Sequence, residues 1–191
     1  MTDDLTSSLE TSATPPSDLD KAIAALLALA AERPWSQINL RDIAARAGVP
    51  LAAVYARAGG KAALLARLSA RYDLAALATA ETPSDDVHDR LFDAVMARVE
   101  AMEPDRDALT AMSRELPARA VAPHFPRTAR AILEAAGVEA TLPRLAAMVA
   151  VWARVVQVWR DDEGALNRTM AEIDRRLKQM RSRLGRIGAG F

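Results

Sequence analysis

The stretch from Ile38 to Leu65, INLRDIAARAGVPLAAVYARAGGKAALL, spaces its helix breakers too regularly to leave many folds open. Asn39, three residues before Asp42, forms an N-cap pair for the helix LRDIAARA. Gly48 supplies the left-handed backbone that ends this helix. Pro50 sits at the start of the next one, where its missing N–H costs little. LAAVYARA gives about two turns before Gly59-Gly60 breaks it. A long helix, KAALLARLSARYDLAALATA, resumes at Lys61. Two short helices joined by a tight turn have the spacing at which a recognition helix is held in the major groove while its partner braces it on the backbone.

The surrounding chain reads as helix throughout. It holds 42 alanines, the best helix former, and no stretch alternates β-branched and aromatic residues with period two. A helix begins near Asp18, with Leu19, Ile23, Leu26, Leu27 and Ala30 on one face, and Pro34 stops it. After a break at ETPSDD, capped by Ser84 or Asp85, a helix over roughly 86–103 carries Val87, Leu91, Val95 and Val99 on one side. Pro104, Pro117, Pro123 and Pro126 punctuate the middle. RTARAILEAAG is a helix ended by Gly137. Leu142–Trp159 is the most apolar segment and is expected to be a buried helix. DDEG interrupts it before a last helix over about 167–187. The expectation is an all-α chain of about nine helices: a disordered tail over 1–17, a three-helix unit over 18–72 and a larger helical domain over 73–191.

Charge and composition narrow the functions. Residues 17–72 carry eight Lys/Arg against four Asp/Glu, net +4, while residues 1–16 carry three acids and no base. A basic segment suits an anionic partner. Cysteine is absent, which removes disulfides, thiol catalysis and Cys-based zinc sites. The N-terminus has no apolar signal core and no run reaches about 18 consecutive apolar residues, so the expected location is cytoplasmic. His88 and His124 belong to no metal spacing, and no nucleophile elbow, zinc-protease motif or phosphate loop is present. No catalytic residue, metal or cofactor is assigned. The terminal GRIGAGF reads as a frayed tail.

Ile43-Ala44, Gly48-Val49, Val54-Tyr55, Lys61 and Leu64-Leu65 carry a resemblance to the TetR family of DNA-binding regulators. It covers about 28 residues at the motif and about 55 with the preceding helix. It implies a homodimer on a palindromic operator, with a ligand pocket in the C-terminal domain. The residues expected at DNA are Arg41, Leu51, Ala52, Tyr55, Arg57 and Lys61. Tyr55 would give its hydroxyl to a phosphate, as the family's tyrosine does. Lys61, at a helix N-terminus, adds charge to free backbone N–H groups, a phosphate site. Arg41 stands where some members place a base-contacting arginine, and Arg57 faces outward. The departures are Pro50, where serine is common, and Ala58, where an aromatic is usual. Leu51, Ala52 and Ala53 cannot hydrogen-bond a base edge, though apolar side chains touch thymine methyls. A helix-turn-helix kept only as a scaffold is the other reading.

The C-terminal end divides similarly. Met170, Ile173, Leu177, Met180, Leu184 and Ile187 form one apolar seam. Residues 168–187 hold seven Lys/Arg against two acids, net +5. The seam, with Val155 and the rest of the helix Leu142–Trp159, is expected to form most of a dimer interface as a four-helix arrangement across a two-fold axis; the rival reading lays 168–187 on an anionic membrane. Trp159, Asp161-Asp162, Thr169 and IDRRL at 173–177 also resemble the C-terminal region of the lipid-binding accessory proteins of ubiquinone biosynthesis, which would imply an isoprenoid-binding protein of the same fold without an operator. Phe92, Met96, Met112, Phe125, Met148, Trp152 and Trp159 are bulky apolar residues of the second domain. They serve either as core or as the walls of a pocket for a small apolar effector.

Overall fold

In the computed structural model, which describes residues 15–116, 122–162 and 165–191, the chain is all-helical, with nine α-helices among the described residues. The expected tail lies outside them up to residue 14, as do Pro117 and the second half of DDEG. Helix α1, Asp18–Glu32, opens with a capping box in which the Ser17 hydroxyl accepts from the Asp20 N–H and Asp20 returns the bond. Its apolar stripe, Ile23, Leu26, Leu27 and Ala30, is buried. Helix α2, Leu40–Ala47, has the Asn39–Asp42 capping box that the sequence predicts. It ends at Gly48, whose φ of 64° would strain any residue with a Cβ. Helix α3, Leu51–Ala58, begins directly after Pro50 and stops at Gly59, φ 68°.

Helix α4, Lys61–Ala78, runs unbroken through the expected 72/73 boundary. No linker separates the two units there: a single rigid helix belongs to both. Helix α5, Val87–Met102, is capped by Asp86, whose carboxylate accepts from the His88 N–H at 2.6 Å. The cap thus lies beyond the expected Ser84 or Asp85, and Ser84 instead bonds Asp93. Helix α6, Arg106–Glu115, packs against α1. Helices α7, Phe125–Ala135, and α8, Leu142–Arg160, pack on each other, and α7 also contacts α4 and α5. Helix α9, Asn167–Arg186, lies along α8 and α5. The terminal tail, expected to fray, folds back so that Arg144 donates to the carbonyls of Ala189 and Gly190.

Two helices of the second domain differ from expectation. The seam of α9 faces inward: Ile173, Leu177, Met180 and Leu184 are all at most 3% exposed within one protomer, as is Val155. They are core residues and cannot be the dimer interface; Met170 is half-buried at the edge of the same core. Helix α8, by contrast, is long and apolar enough to cross a membrane by length and composition, yet only 33% of its apolar 18-residue window is buried. Its Met148, Val151, Trp152, Val155 and Trp159 face the core. Leu142, Ala146 and Ala150 are exposed and Val149 and Ala153 half-exposed on the other side.

Candidate functional site

The helix-turn-helix head is held together by its own ions. Arg46 makes two bonds to Glu32, Arg33 pairs with Asp42 at 2.9 Å, and Arg57 pairs with Asp18 at 3.1 Å. Three of the eight basic residues that the segment offers to an anion are therefore also engaged in fixing α1 against α2 and α3. Val54 and Ala58 are buried beneath α3, so the small residue at 58 closes the packing under the turn. Leu51, Ala52 and Tyr55 stand exposed, Tyr55 at 63%. Ala53 is half-buried against the core and not on the outward face. Arg41 is exposed at the start of α2 with no polar partner among the described residues.

Lys61 differs most from its expected role. Its ammonium donates to the carbonyls of Trp35 and Ile38, both at 2.7 Å, and lies 4.2 Å from the centre of the Trp35 ring. Burial lowers its pKa, and the charge of Glu115 works the other way. The side chain turns inward because the turn between α1 and α2 presents two carbonyls, that of Trp35 already accepting from the Ile38 N–H, to a cation at the start of α4. Nearby, Glu115 at the end of α6 accepts from the Ser36 N–H and hydroxyl. Helices α4 and α6 are thus both fastened to that turn.

In the second domain a cavity of about 130 Å³ opens among α4, α5, α6, α7 and α8. Of the residues expected to wall it, Met112, Phe125, Trp152 and Trp159 do so. Phe92, Met96 and Met148 do not line it: Met96 and Met148 are buried in the core and Phe92 packs against that core. The spacing of Trp152 and Trp159 brings both onto one inward face of α8, as their separation of two helical turns requires. Helix α4 contributes Leu65, Leu68, Ser69 and Tyr72, and α6 contributes Leu109, Met112 and Ser113. All of these but Met112 lie outside the expected set, because they sit on helices assigned to the head or left unremarked.

Behind the cavity lies a buried ion pair that the sequence reading also missed. Arg98 of α5 donates from Nε to Asp73 Oδ1 of α4 at 2.9 Å, and both are nearly inaccessible. Thr128 of α7 donates to the same oxygen at 2.9 Å. Burial pulls the Arg98 pKa down, while the Asp73 carboxylate pushes it up. The signal was present: position 98 falls seven residues after Leu91 and three after Val95, on the apolar stripe, where an arginine without a buried partner would be prohibitively costly. Tyr72 donates to Asp105 at 2.7 Å at the same end of α4. Burial, and then that bond, raise its pKa well above the ordinary phenol value.

The residues behind the ubiquinone-type resemblance have local work to do. Asp162 accepts from the Thr169 N–H at 2.8 Å and hydroxyl at 2.7 Å, satisfying a free amide in the first turn of α9. Glu172 is nearly buried among Arg154, Arg175 and Arg176. Burial opposes its charge, but the three guanidiniums hold its pKa at about 2. With Ile173, Leu177, Met180 and Leu184 in the core, segment 168–187 turns mainly polar side chains outward, with Ile187 exposed at its end.

A helix-turn-helix head thus shares one helix with an all-helical, cavity-bearing body. Residues 22–68 match the family model described as bacterial regulatory proteins, tetR family. Solved structures of the same fold include a TetR transcriptional regulator from Rhodococcus sp. RHA1, with TM-score 0.63 and 17% identity over 84% of this chain and 93% of that one. A tetR-family transcriptional regulator from Streptomyces coelicolor has TM-score 0.55 and 16% identity, covering 90% of this chain and 84% of that one. A putative TetR-family transcriptional regulator from another Rhodococcus sp. has TM-score 0.53 and 18% identity, covering 85% and 98%. No curated protein matches by sequence. The head of this chain is a tetR-family domain, and the whole has the fold of that family's transcriptional regulators.

Proposed function

We propose that the protein is a homodimeric transcriptional regulator that binds a two-fold symmetric operator and whose affinity for DNA is altered by a small molecule in the second-domain cavity. One observation carries the reading: α4 and α6 each touch the cavity with one stretch and grip the turn between α1 and α2 with another. A ligand that shifts either helix tilts the head, which is the differential contact that a binding linkage requires. Tyr55, Leu51 and Ala52 face the DNA, with Arg41 beside them. Leu51 and Ala52 read thymine methyls, and Arg41 supplies the hydrogen-bonding contact. Arg57 takes part through a pair with Asp18 that DNA would have to share.

The second copy docks on the outward side of α8. That side carries Leu142, Ala146, Val149, Ala150 and Ala153 on a helix most of whose apolar window is unburied. Alanines there let two helix backbones approach closely. A two-fold axis through this face sets the heads for half-sites one helical turn, or a multiple, apart. Selection from random-sequence DNA tests the whole reading: an enriched palindrome is expected, and its absence at low salt would leave the head as a scaffold.

A further inference from the structure

We infer that the ligand of the second-domain cavity is an apolar carboxylic acid, its carboxylate held by Arg98 and its body among Trp152, Trp159, Phe125 and Met112; this rests on the reading of that cavity as a ligand site. The charged residues that line the cavity are Arg98 and Arg160, accompanied by His124, and no carboxylate is among them. Asp73 lies behind Arg98 and not in the wall. It engages Nε and so aims the other edge of the guanidinium. That edge, Nη1 and Nη2, is directed toward Met102 Sδ at 2.9 Å and Ser69 Oγ at 3.1 Å, and both of those residues are cavity walls.

A guanidinium has five N–H donors, and three are used among the described residues, one of them on a thioether. Sulfur is a weak acceptor, so the edge facing the cavity is the least satisfied part of a side chain that is 4% exposed. The face of the guanidinium is covered by the Trp152 ring at 4.3 Å, which leaves its plane open edge-on. Planar, edge-on and two-pronged is the geometry that a carboxylate matches.

Volume and wall chemistry define the rest of the molecule. A cavity of about 130 Å³ is close to the ~150 Å³ of an apolar cavity that accepts benzene. A single ring or a short branched chain fits, and the indole and phenyl walls favour the ring. The ligand enters as the anion, since Arg98 stays protonated at any physiological pH.

Matched pairs of acid and neutral analogue separate the possibilities. Phenylacetate against phenylacetamide, and benzoate against benzamide, are titrated into the full-length protein and followed by tryptophan fluorescence and calorimetry. Each acid is expected to bind tighter than its amide by about tenfold or more, the worth of one charge-assisted contact. The double variant Arg98→Met/Asp73→Asn removes both charges at similar volume, a change buried pairs often tolerate. It should bind acid and amide alike. Amides that match the acids in the unaltered protein would overturn the carboxylate assignment and leave the cavity as a neutral-ligand site; an acid preference that survives in the folded double variant would overturn the assignment to Arg98. If neither acids, amides nor toluene perturb the tryptophans, the ligand-site reading falls and this inference with it.

Discussion

Helices α8 and α9 part company. In sequence both are expected to build a dimer interface, α8 as the most apolar segment and α9 through a narrow seam on a basic helix. In the fold the seam of α9 is consumed by its own protomer, and α8 is left with an apolar side uncovered. The difference teaches what a hydrophobic pattern reports. A narrow seam on a strongly polar helix has one face to bury, and the nearest core takes it. A helix that is apolar nearly all round has more surface than one core can cover, so part of it stays uncovered in the protomer.

The largest effect expected is at Leu177. A carboxylate there would enter the core of the protomer, so Leu177→Asp should cost more than about 4 kcal/mol and unfold the chain. Ala150→Arg, on the outward side of α8, should instead give a folded monomer with full helical circular dichroism. The two variants are compared by dichroism and sedimentation. A folded, monomeric Leu177→Asp beside a dimeric Ala150→Arg would reverse the roles assigned to the two helices.

Next comes the ion pair that ties α4 to α5. Asp73→Ala leaves the Arg98 guanidinium buried without its counter-charge, at a cost of about 3–5 kcal/mol in denaturant midpoint measurements. The neutral double variant should recover most of that loss. A mild Asp73→Ala would mean that water or Ser69 alone can satisfy Arg98, and the cavity wall would be less ordered than the contacts suggest.

Glu172, which binds α9 to α8 through Arg154 as well as its own helix, is smaller. Glu172→Gln should cost about 1–3 kcal/mol, since the arginines around it are partly exposed. The sign with pH follows from its depressed pKa, about 2 against an ordinary 4.5. The contribution is fully present above about 4.5, where the unfolded chain is also ionised. It fades as pH falls toward 2, because the unfolded state then takes up a proton that the native state refuses. Unfolding curves at pH 7 and pH 3 should therefore converge for the two proteins. A constant difference between them would place the loss in packing.

The head was far more legible than the body. Asn39–Asp42, Gly48, Pro50 and Gly59 act locally, through caps and φ angles that neighbouring residues dictate, and each stands where its spacing puts it. Met112, Phe125, Trp152 and Trp159 could be foreseen as pocket residues by size and face. Tyr72, Asp73 and Arg98 could not be joined from sequence, because their contact is set by how three helices cross. Lys61 is the intermediate case: its position at a helix N-terminus was plain, but two carbonyls more than twenty residues away decide where its ammonium goes.

That case yields the smallest effect and the finest test. The salt dependence of DNA binding counts phosphate contacts, with a logarithmic slope near 0.9 for each one. Lys61, with two carbonyl bonds and an indole beneath it, has little to offer a phosphate without giving these up. Lys61→Ala should leave the slope nearly unchanged while lowering the melting temperature of the head. It should also weaken the response of DNA binding to ligand, since the fastening of α4 to the turn between α1 and α2 is lost. Arg41→Ala should behave in the opposite way. With no polar partner among the described residues, its loss should leave stability alone and relax sequence preference at one base pair per half-site, at about 1–3 kcal/mol. The two are read from the same filter-binding titrations over a range of salt. If Lys61→Ala flattens the slope by about one contact per protomer, the ammonium swings out to the phosphate on binding, and the inward bonds describe only the DNA-free head.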